Sequence, residues 1–231
     1  MDISTRSDAQ GHFELSLPPP AAQPGQGLSG AFKLYFYVDN FGLGITDALI
    51  DEGEFIFDTD EIGSNGALRR PMELVQTFTV TASMTPASFE IDEIPVLISA
   101  RFSLRAVGKP IDVFFPRQVD DITGPVIVRN KETGTVKIIS STITGPGGLN
   151  DILTISSNTD FERIVAIPTA PLQDFTIGTY EFIPFLYSAA TVPPELLANL
   201  GDSARQLGVG YLDLPLVRNA GELKVTPDTG E

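Results

Sequence analysis

Ile98-Ser99-Ala100-Arg101-Phe102-Ser103-Leu104-Arg105 carries an apolar residue at every second position, and Phe78-Thr79-Val80-Thr81-Ala82 repeats the pattern. Side chains of an extended chain alternate between two faces, so each run offers one face to a core and one to water. Both read as half-buried β-strands. Short β-branched and aromatic runs bounded by Gly, Pro, Asn or Asp recur along most of the chain. They place strands at 12–17, 31–38, 54–57, 73–82, 95–107, 111–115, 126–129, 135–144, 152–156, 163–167, 179–186 and 209–217. Leu34-Tyr35-Phe36-Tyr37-Val38 is apolar on both faces, which suits a central strand or one whose outer face meets another subunit. Ile183-Pro184-Phe185-Leu186-Tyr187 reads as an exposed run that suits a subunit contact.

The strongest local signal is a hairpin from Val126 to Ile139. There VIVRNKETGTVKII sets Asn, Lys, Glu, Thr and Gly between two β-branched segments, and Gly134 supplies the positive φ that such a loop needs. One segment, Pro194 to Leu207, reads as a helix. Pro194 suits the first helical position, Glu195 complements the positive end of the dipole, and Gly208 is placed to stop it. Leu196, Leu197, Leu200, Ala204 and Leu207 give its apolar stripe. No internal repeat of fixed period is visible, which argues against a propeller or solenoid. The fold class is all-β.

Composition shifts divide the chain. Residues 1–30 read as an extended N-terminal arm, because Pro18 to Gly30, PPPAAQPGQGLSG, lacks the means to pack or hydrogen-bond regularly. Residues 31–226 form the β-domain, with a small β-subdomain expected at about 116–168, set off by clusters such as Thr144-Gly145-Pro146-Gly147-Gly148. Residues 227–231 read as a frayed tail.

The 231 residues carry 30 Asp+Glu against 15 Lys+Arg, a formal net charge of −15. Lys occurs only at 33, 109, 131, 137 and 224, so ten of the fifteen basic residues are Arg. This is the profile of a protein suited to concentrated salt. At about 1 M the Debye length falls to about 3 Å, so excess charge repels itself weakly while hydrated carboxylates keep the surface wet. An anionic surface disfavours nucleic acid and anionic lipid, whose binding depends on Lys and Arg neutralising phosphates. Arg69-Arg70 is the only adjacent basic pair. With no Cys, disulfides, thiolate chemistry and Cys-type zinc sites are excluded, and stability must come from packing. The first twenty residues lack the apolar core of a secretory signal, and no stretch approaches the length of a membrane span. Synthesis in the cytoplasm and no direct membrane insertion are therefore expected.

Motifs that would carry chemistry fail on context. Gly25-Gln26-Gly27-Leu28-Ser29-Gly30 matches a dinucleotide-binding fingerprint in letters, but a strand follows it where a helix should begin. Asp58-Thr59-Asp60-Glu61-Ile62-Gly63 opens like a calcium loop. Ile62 and Arg69 then occupy positions that need oxygen ligands, which excludes an EF-hand and leaves open whether Asp58, Asp60 and Glu61 bind a cation weakly. Glu90-Ile91-Asp92-Glu93 is the sharpest enzymatic lead, because jelly-roll glycoside hydrolases aim alternate carboxylates into one cleft. Ile94 stands where a third carboxylate would fall, Glu93 points away, and the chain has no Trp for a sugar platform. His12, the only histidine, reads as a structural or surface residue. Ser203, in Gly201-Asp202-Ser203-Ala204-Arg205, reads as part of the helix rather than a nucleophile elbow. No N-x-S/T sequon occurs.

An all-β chain with no Cys, few candidate catalytic groups, an extended arm, one helix between late strands and an acidic, Lys-poor surface resembles a known family. It is that of the major capsid proteins of halophilic archaeal icosahedral viruses with an internal membrane. The resemblance spans the chain through composition, strand spacing and length, and carries no short motif, so it transfers no catalytic, cofactor-binding or metal-binding residue. It implies an antiparallel jelly-roll β-sandwich or barrel of the vertical single type, with additional tower-like β-hairpin structure and one short helix. The length looks like the larger of the two kinds that share one shell. It further implies a structural, non-enzymatic role in the virion, without cofactors. The implied partners are a second major capsid protein, further copies of the chain, and minor capsid or membrane proteins beneath the shell. Two alternatives stand beside it. A carbohydrate-active or carbohydrate-binding β-sandwich would show a deep cleft lined by Glu90 and Asp92; a spike or receptor-binding module would show trimeric symmetry and a variable tip.

Overall fold

The computed structural model describes residues 4–17, 28–116, 125–139, 152–201 and 203–228. In chain order the elements are β1 (Gly30–Phe36), β2 (Gly44–Asp51), β3 (Glu54–Phe55), β4 (Phe78–Thr85), β5 (Ser88–Glu90), β6 (Leu97–Ala106) and β7 (Ile111–Phe114). After these come β8 (Val126–Asn130), β9 (Val136–Ile139), β10 (Ile152–Ile155), β11 (Phe161–Pro168), α1 (Thr169–Leu172), β12 (Gly178–Pro184), β13 (Tyr187–Ser188), α2 (Pro194–Leu200), a 3-10 turn at Val209–Asp213, and β14 (Gly221–Thr226). The protein is all-β. The strands form four sheets, ordered β1-β2-β3, β11-β6-β4, β10-β7-β13 and β5-β14-β12-β8-β9. Among the described residues, every strand pairing is antiparallel except β14 with β5.

The alternating run 98–105 is the centre of this arrangement. On β6, Ile98, Ala100, Phe102 and Leu104 have no exposed surface. Arg101 and Arg105, on the other face, pair with Glu162 at 2.9 Å and Asp160 at 2.5 Å. The buried faces of β4, β6 and β11 join Val126 and Val128 of β8, Phe182 of β12 and Leu223 and Val225 of β14 in one core. Burial of this kind contributes about 25 cal/mol per Å² of apolar surface, the dominant favourable term available to a chain without disulfides.

Two-stranded ribbons carry the chain between sheets. β6 pairs β11 and β7 pairs β10, so the ribbon of β6–β7 with β10–β11 passes from one sheet into another. β7 also pairs β13 while β8 pairs β12, which carries a second ribbon into the five-stranded sheet. Gly108, with φ +80°, makes the turn between β6 and β7 in a conformation that L side chains rarely adopt. The five-stranded sheet is buried on both faces at its middle. Ile127 and Ile183 point away from the main core into a second cluster with Phe185, Ala204, Tyr211 and Leu214.

Several expectations are corrected. His12–Leu17 is in no strand, and 209–217 holds the 3-10 turn followed by extended chain. Pro215 there lacks the N–H a ladder needs, and Tyr211 is wholly buried. The helix ends at Leu200, not Leu207, because Gly201 at φ +87° stops it about two turns before Gly208. Ser203 consequently sits in a turn. Among the described residues β1 lies at the edge of its sheet, paired with β2 alone. Ile183, Phe185 and Leu186 are core, covered by the segment that carries Ala204 and Tyr211. The 126–139 hairpin forms as expected, with Gly134 at φ +72°. Within 116–168, however, β8, β10 and β11 pair with β12, β7 and β6, so this range has no sheet of its own among the described residues. The Thr144–Gly148 cluster and most of the Pro18–Gly30 arm lie outside the described residues. β2, β5, β13 and β14 were not expected.

Candidate functional site

A buried polar constellation begins where β1 ends. Asp39 has no exposed side-chain surface, and Arg205, 19% exposed, places Nη2 2.8 Å from its Oδ1. The Tyr37 hydroxyl donates to the same oxygen at 2.5 Å and accepts from Arg205 at 2.9 Å. The Ser188 amide donates to Oδ2 at 2.5 Å. Arg205 also lies over the Tyr187 ring, 4.9 Å from its centroid, and Tyr187 stacks on Phe114 at 4.5 Å. Asn40 continues the constellation. Its Nδ2 donates to the carbonyls of Phe78 and Val217 at 3.0 and 2.8 Å, and its Oδ1 accepts from the Val217 amide at 3.0 Å. The pair Asp39-Asn40 thereby ties the end of β1 to β4, to β13 and to the 205–217 segment.

Burial raises the Tyr37 phenol far above its ordinary range, and neighbouring Asp39 raises it further. It stays neutral and donates. Burial alone would lower the Arg205 guanidinium, but Asp39 and Tyr37 outweigh it and hold the charge in place. Tyr211 anchors the far end of this segment. Its hydroxyl donates to the Leu186 carbonyl at 2.6 Å and accepts from the Leu186 amide at 3.2 Å, and burial pushes its pKa up to about 12. Arg205 Nε and Arg218 Nη1 are buried without a hydrogen-bond partner among the described residues, and both guanidiniums lie over rings, those of Tyr187 and Tyr211. A second buried guanidinium weld joins β11 to the end of β7. Arg163 donates to the carbonyls of Phe115 and Pro116 at 2.8 and 2.6 Å and covers the Phe115 ring at 3.9 Å.

Asp39 accepts hydrogen bonds from Tyr37, Arg205 and Ser188 and is closed to solvent, so its carboxylate faces partners within the chain. The chemistry of this constellation is holding. Charge-assisted hydrogen bonds in a low-dielectric setting fix which segments meet.

The sequence-expected carboxylates do not lie on one strand. Glu90 ends β5, while Asp92 and Glu93 lie in the turn after it, where the Glu93 amide donates to the Glu90 carbonyl at 2.9 Å. Strand alternation stops at Glu90, so no shared face aims Glu90 and Asp92 into a cleft. In the acidic turn, Arg69 reaches back to pair with Asp58 and donates to the Thr59 carbonyl at 2.6 Å, and Glu61 accepts from the Thr46 hydroxyl at 3.1 Å. The chain supplies its own cation there. His12 is exposed, with Nδ1 3.3 Å from Asp8. No cluster of three or more His, Asp or Glu suited to a metal occurs among the described residues, and no helix among them is long and apolar enough to cross a membrane.

Sequence reading missed Asp39, Asn40, Arg205 and Tyr211. The available signal was an Asp-Asn pair directly after the doubly apolar run ending at Val38, because a turn entered from a core strand needs its polar groups satisfied. Comparison of the chain with protein-family models, with curated proteins and with solved structures finds no match, so what the molecule does is read from its own surfaces and joints.

Proposed function

We propose that the chain is a structural subunit: a major capsid protein of the vertical single jelly-roll kind that forms an icosahedral shell with itself and a companion capsid protein. The observation that carries this reading is the pair of ribbons, β6–β7 with β10–β11 and β7–β8 with β12–β13, which cross between sheets as the strands of a jelly roll do. Its buried polar groups are spent on welding segments together, and its surface is strongly acidic. In this reading the tower corresponds to the β1-β2-β3 sheet and not to the 126–139 hairpin, which is a continuation of the five-stranded sheet. The shell would hold the chain in the virion, with minor capsid or membrane proteins beneath it, and engage neither nucleic acid nor the bilayer directly.

The test is co-production with the companion protein of the same virion in concentrated salt, followed by sizing and electron microscopy. Shells or capsomers that need both chains are the expected outcome, with this chain alone staying small. Polysaccharide hydrolysis by the isolated protein that disappears on Glu90→Gln with Asp92→Asn would overturn the reading in favour of a carbohydrate-active sandwich.

A further inference from the structure

The chain from Ile62 to Leu68 is a small hairpin of its own, and it holds the one Asn-Gly dipeptide of the sequence, Asn65-Gly66. Ile62 bridges Leu68, the Gly63 amide donates to the Ala67 carbonyl at 2.8 Å, and the Gly66 amide donates to the Gly63 carbonyl at 3.0 Å. Gly66 stands at φ +78°, the left-handed conformation that closes a three-residue hairpin loop. Asn65 and Gly66 are both exposed. The Asn65 side chain reaches along the loop, where its Oδ1 accepts from the Ala67 amide at 3.1 Å. Three requirements of one reaction therefore meet at this dipeptide. Gly66 has no side chain to crowd its nitrogen, the Asn65 amide is open to water, and the oxygen of that amide already has a donor. Each of the other six asparagines is followed by a residue with a side chain, namely Phe41, Lys131, Asp151, Thr159, Leu200 or Ala220.

We infer that Asn65-Gly66 is a site of self-modification, at which the Gly66 main-chain nitrogen attacks the Asn65 side chain and converts it to a mixture of aspartate and isoaspartate. In the first step a bond forms between the Gly66 nitrogen and Asn65 Cγ, and the Cγ–Nδ2 bond breaks. The side-chain nitrogen leaves as ammonia, taking the proton that Gly66 gives up. Water then opens the resulting succinimide ring at either carbonyl. Because nucleophile and electrophile belong to adjacent residues, the attack is intramolecular and needs no further catalyst. Negative charge gathers on Oδ1 as the bond forms, and the Ala67 amide is already placed to receive it. The bond from the Gly66 amide to the Gly63 carbonyl opposes the attack, since that proton must be released, but one exposed hydrogen bond slows it only about tenfold. Local opening of the loop is the gate. The isoaspartate product routes the main chain through the former side chain and lengthens it by one carbon, which loosens the Gly63–Ala67 pairing beside the buried Ile62. The modification belongs to the loop whatever the chain builds, so its failure leaves the structural reading untouched.

The test uses the full chain with its sequence unaltered. Folded protein in concentrated salt and the same protein unfolded in guanidinium are held at one neutral pH, sampled over weeks and digested with trypsin, and the peptides are weighed. The peptide ending at Arg69 should gain the mass difference between an amide and an acid, with its isoaspartyl form present and the other six asparagines unchanged. Isoaspartate is the decisive mark, because direct hydrolysis of a side-chain amide yields aspartate alone. The folded protein should convert at a rate within about a hundredfold of the unfolded one. A larger difference would show that the hairpin locks the site and would overturn the inference. A product free of isoaspartate, or earlier conversion of another asparagine in the folded protein, would overturn it too. Asn65→Gln, whose side chain must close a larger ring, should keep its amide over the same period. Equal conversion of that peptide in the variant would place the reaction elsewhere and count against the dipeptide.

Discussion

Asp39 joins Tyr37, Ser188 and Arg205, and its replacement tests whether the weld is structural. Asp39→Asn keeps the shape but leaves the mostly buried Arg205 charge without its partner. Breaking a buried pair in this way costs about 3–5 kcal/mol, and the partial exposure of Arg205 places the expected loss near about 3 kcal/mol in denaturant unfolding. Arg205→Met combined with Asp39→Asn should lose less than the sum of the single variants, as a double-mutant cycle would show. Tyr211 gives a pH signature. Its folded pKa of about 12 lies above the ordinary phenol value of about 10, so its contribution is fully present below about pH 10 and is lost as pH rises through about 12. The raised Tyr37 acts in the same direction. Stability measured from pH 8 upward should be flat to about pH 10 and then fall, with a smaller fall in Tyr211→Phe.

At the scale of elements, the 126–139 hairpin and the 201–217 segment show two ways a turn is fixed. In the hairpin the decision is local. Gly134 sits at φ +72° with open space for 4 Å around the position a Cβ would take, and the Asn130 side chain accepts from the amides of Glu132 and Thr133 at 2.9 and 2.8 Å. Gly134→Ala therefore isolates the left-handed backbone penalty, and a loss of about 1–2 kcal/mol without change in circular dichroism is expected. In the 201–217 segment the decision is tertiary. Gly201 ends α2, and the path of the chain beyond it is set by Tyr211 and Ala204 covering Ile127 and Ile183. Ile183→Ala should loosen that cover, costing about 2–5 kcal/mol, with the segment's amides losing hydrogen-exchange protection before those of β6.

For the whole molecule, the balance of charge sets two effects against each other. The exposed pairs Arg101–Glu162, Arg105–Asp160, Lys131–Glu222 and Lys33–Asp47 are weakened by salt, but each is worth only about 0.2–1 kcal/mol. The formal charge of −15 leaves many carboxylates without a basic partner, and their repulsion grows as the Debye length rises from about 3 Å at 1 M to about 10 Å at 0.1 M. Repulsion should win, so thermal unfolding midpoints should rise markedly between 0.1 M and 1 M salt. A profile that is flat or falls with salt would mean that the exposed pairs dominate and that the acidic surface is no adaptation to brine.

What the sequence determined by itself were the features whose cause is local. Alternation made β4 and β6 strands with their faces assigned, and Asn130 through Gly134 made the hairpin, because pleat and turn chemistry depend on neighbours in the chain. Glu90 and Asp92 alternate in the sequence, but β5 ends at Glu90 and Asp92 falls in the turn. Tertiary structure decided what depends on neighbours in space. In β2, Gly44-Ile45-Thr46-Asp47-Ala48-Leu49-Ile50-Asp51, apolar residues fall on both faces; Ile45 and Leu49 share the outer face with Asp47 and Asp51 and are 47% and 40% exposed, while Thr46, Ala48 and Ile50 face inward. Phe32 and Leu34 of the paired strand lie opposite Ala48 and Thr46, so large residues of one strand stand across from small ones of the other. Asp39 and Arg205 lie 166 positions apart, and no local rule links them. Only the winding of the sheets brings them within reach, and only then does burial turn two ordinary polar residues into the joint of the molecule.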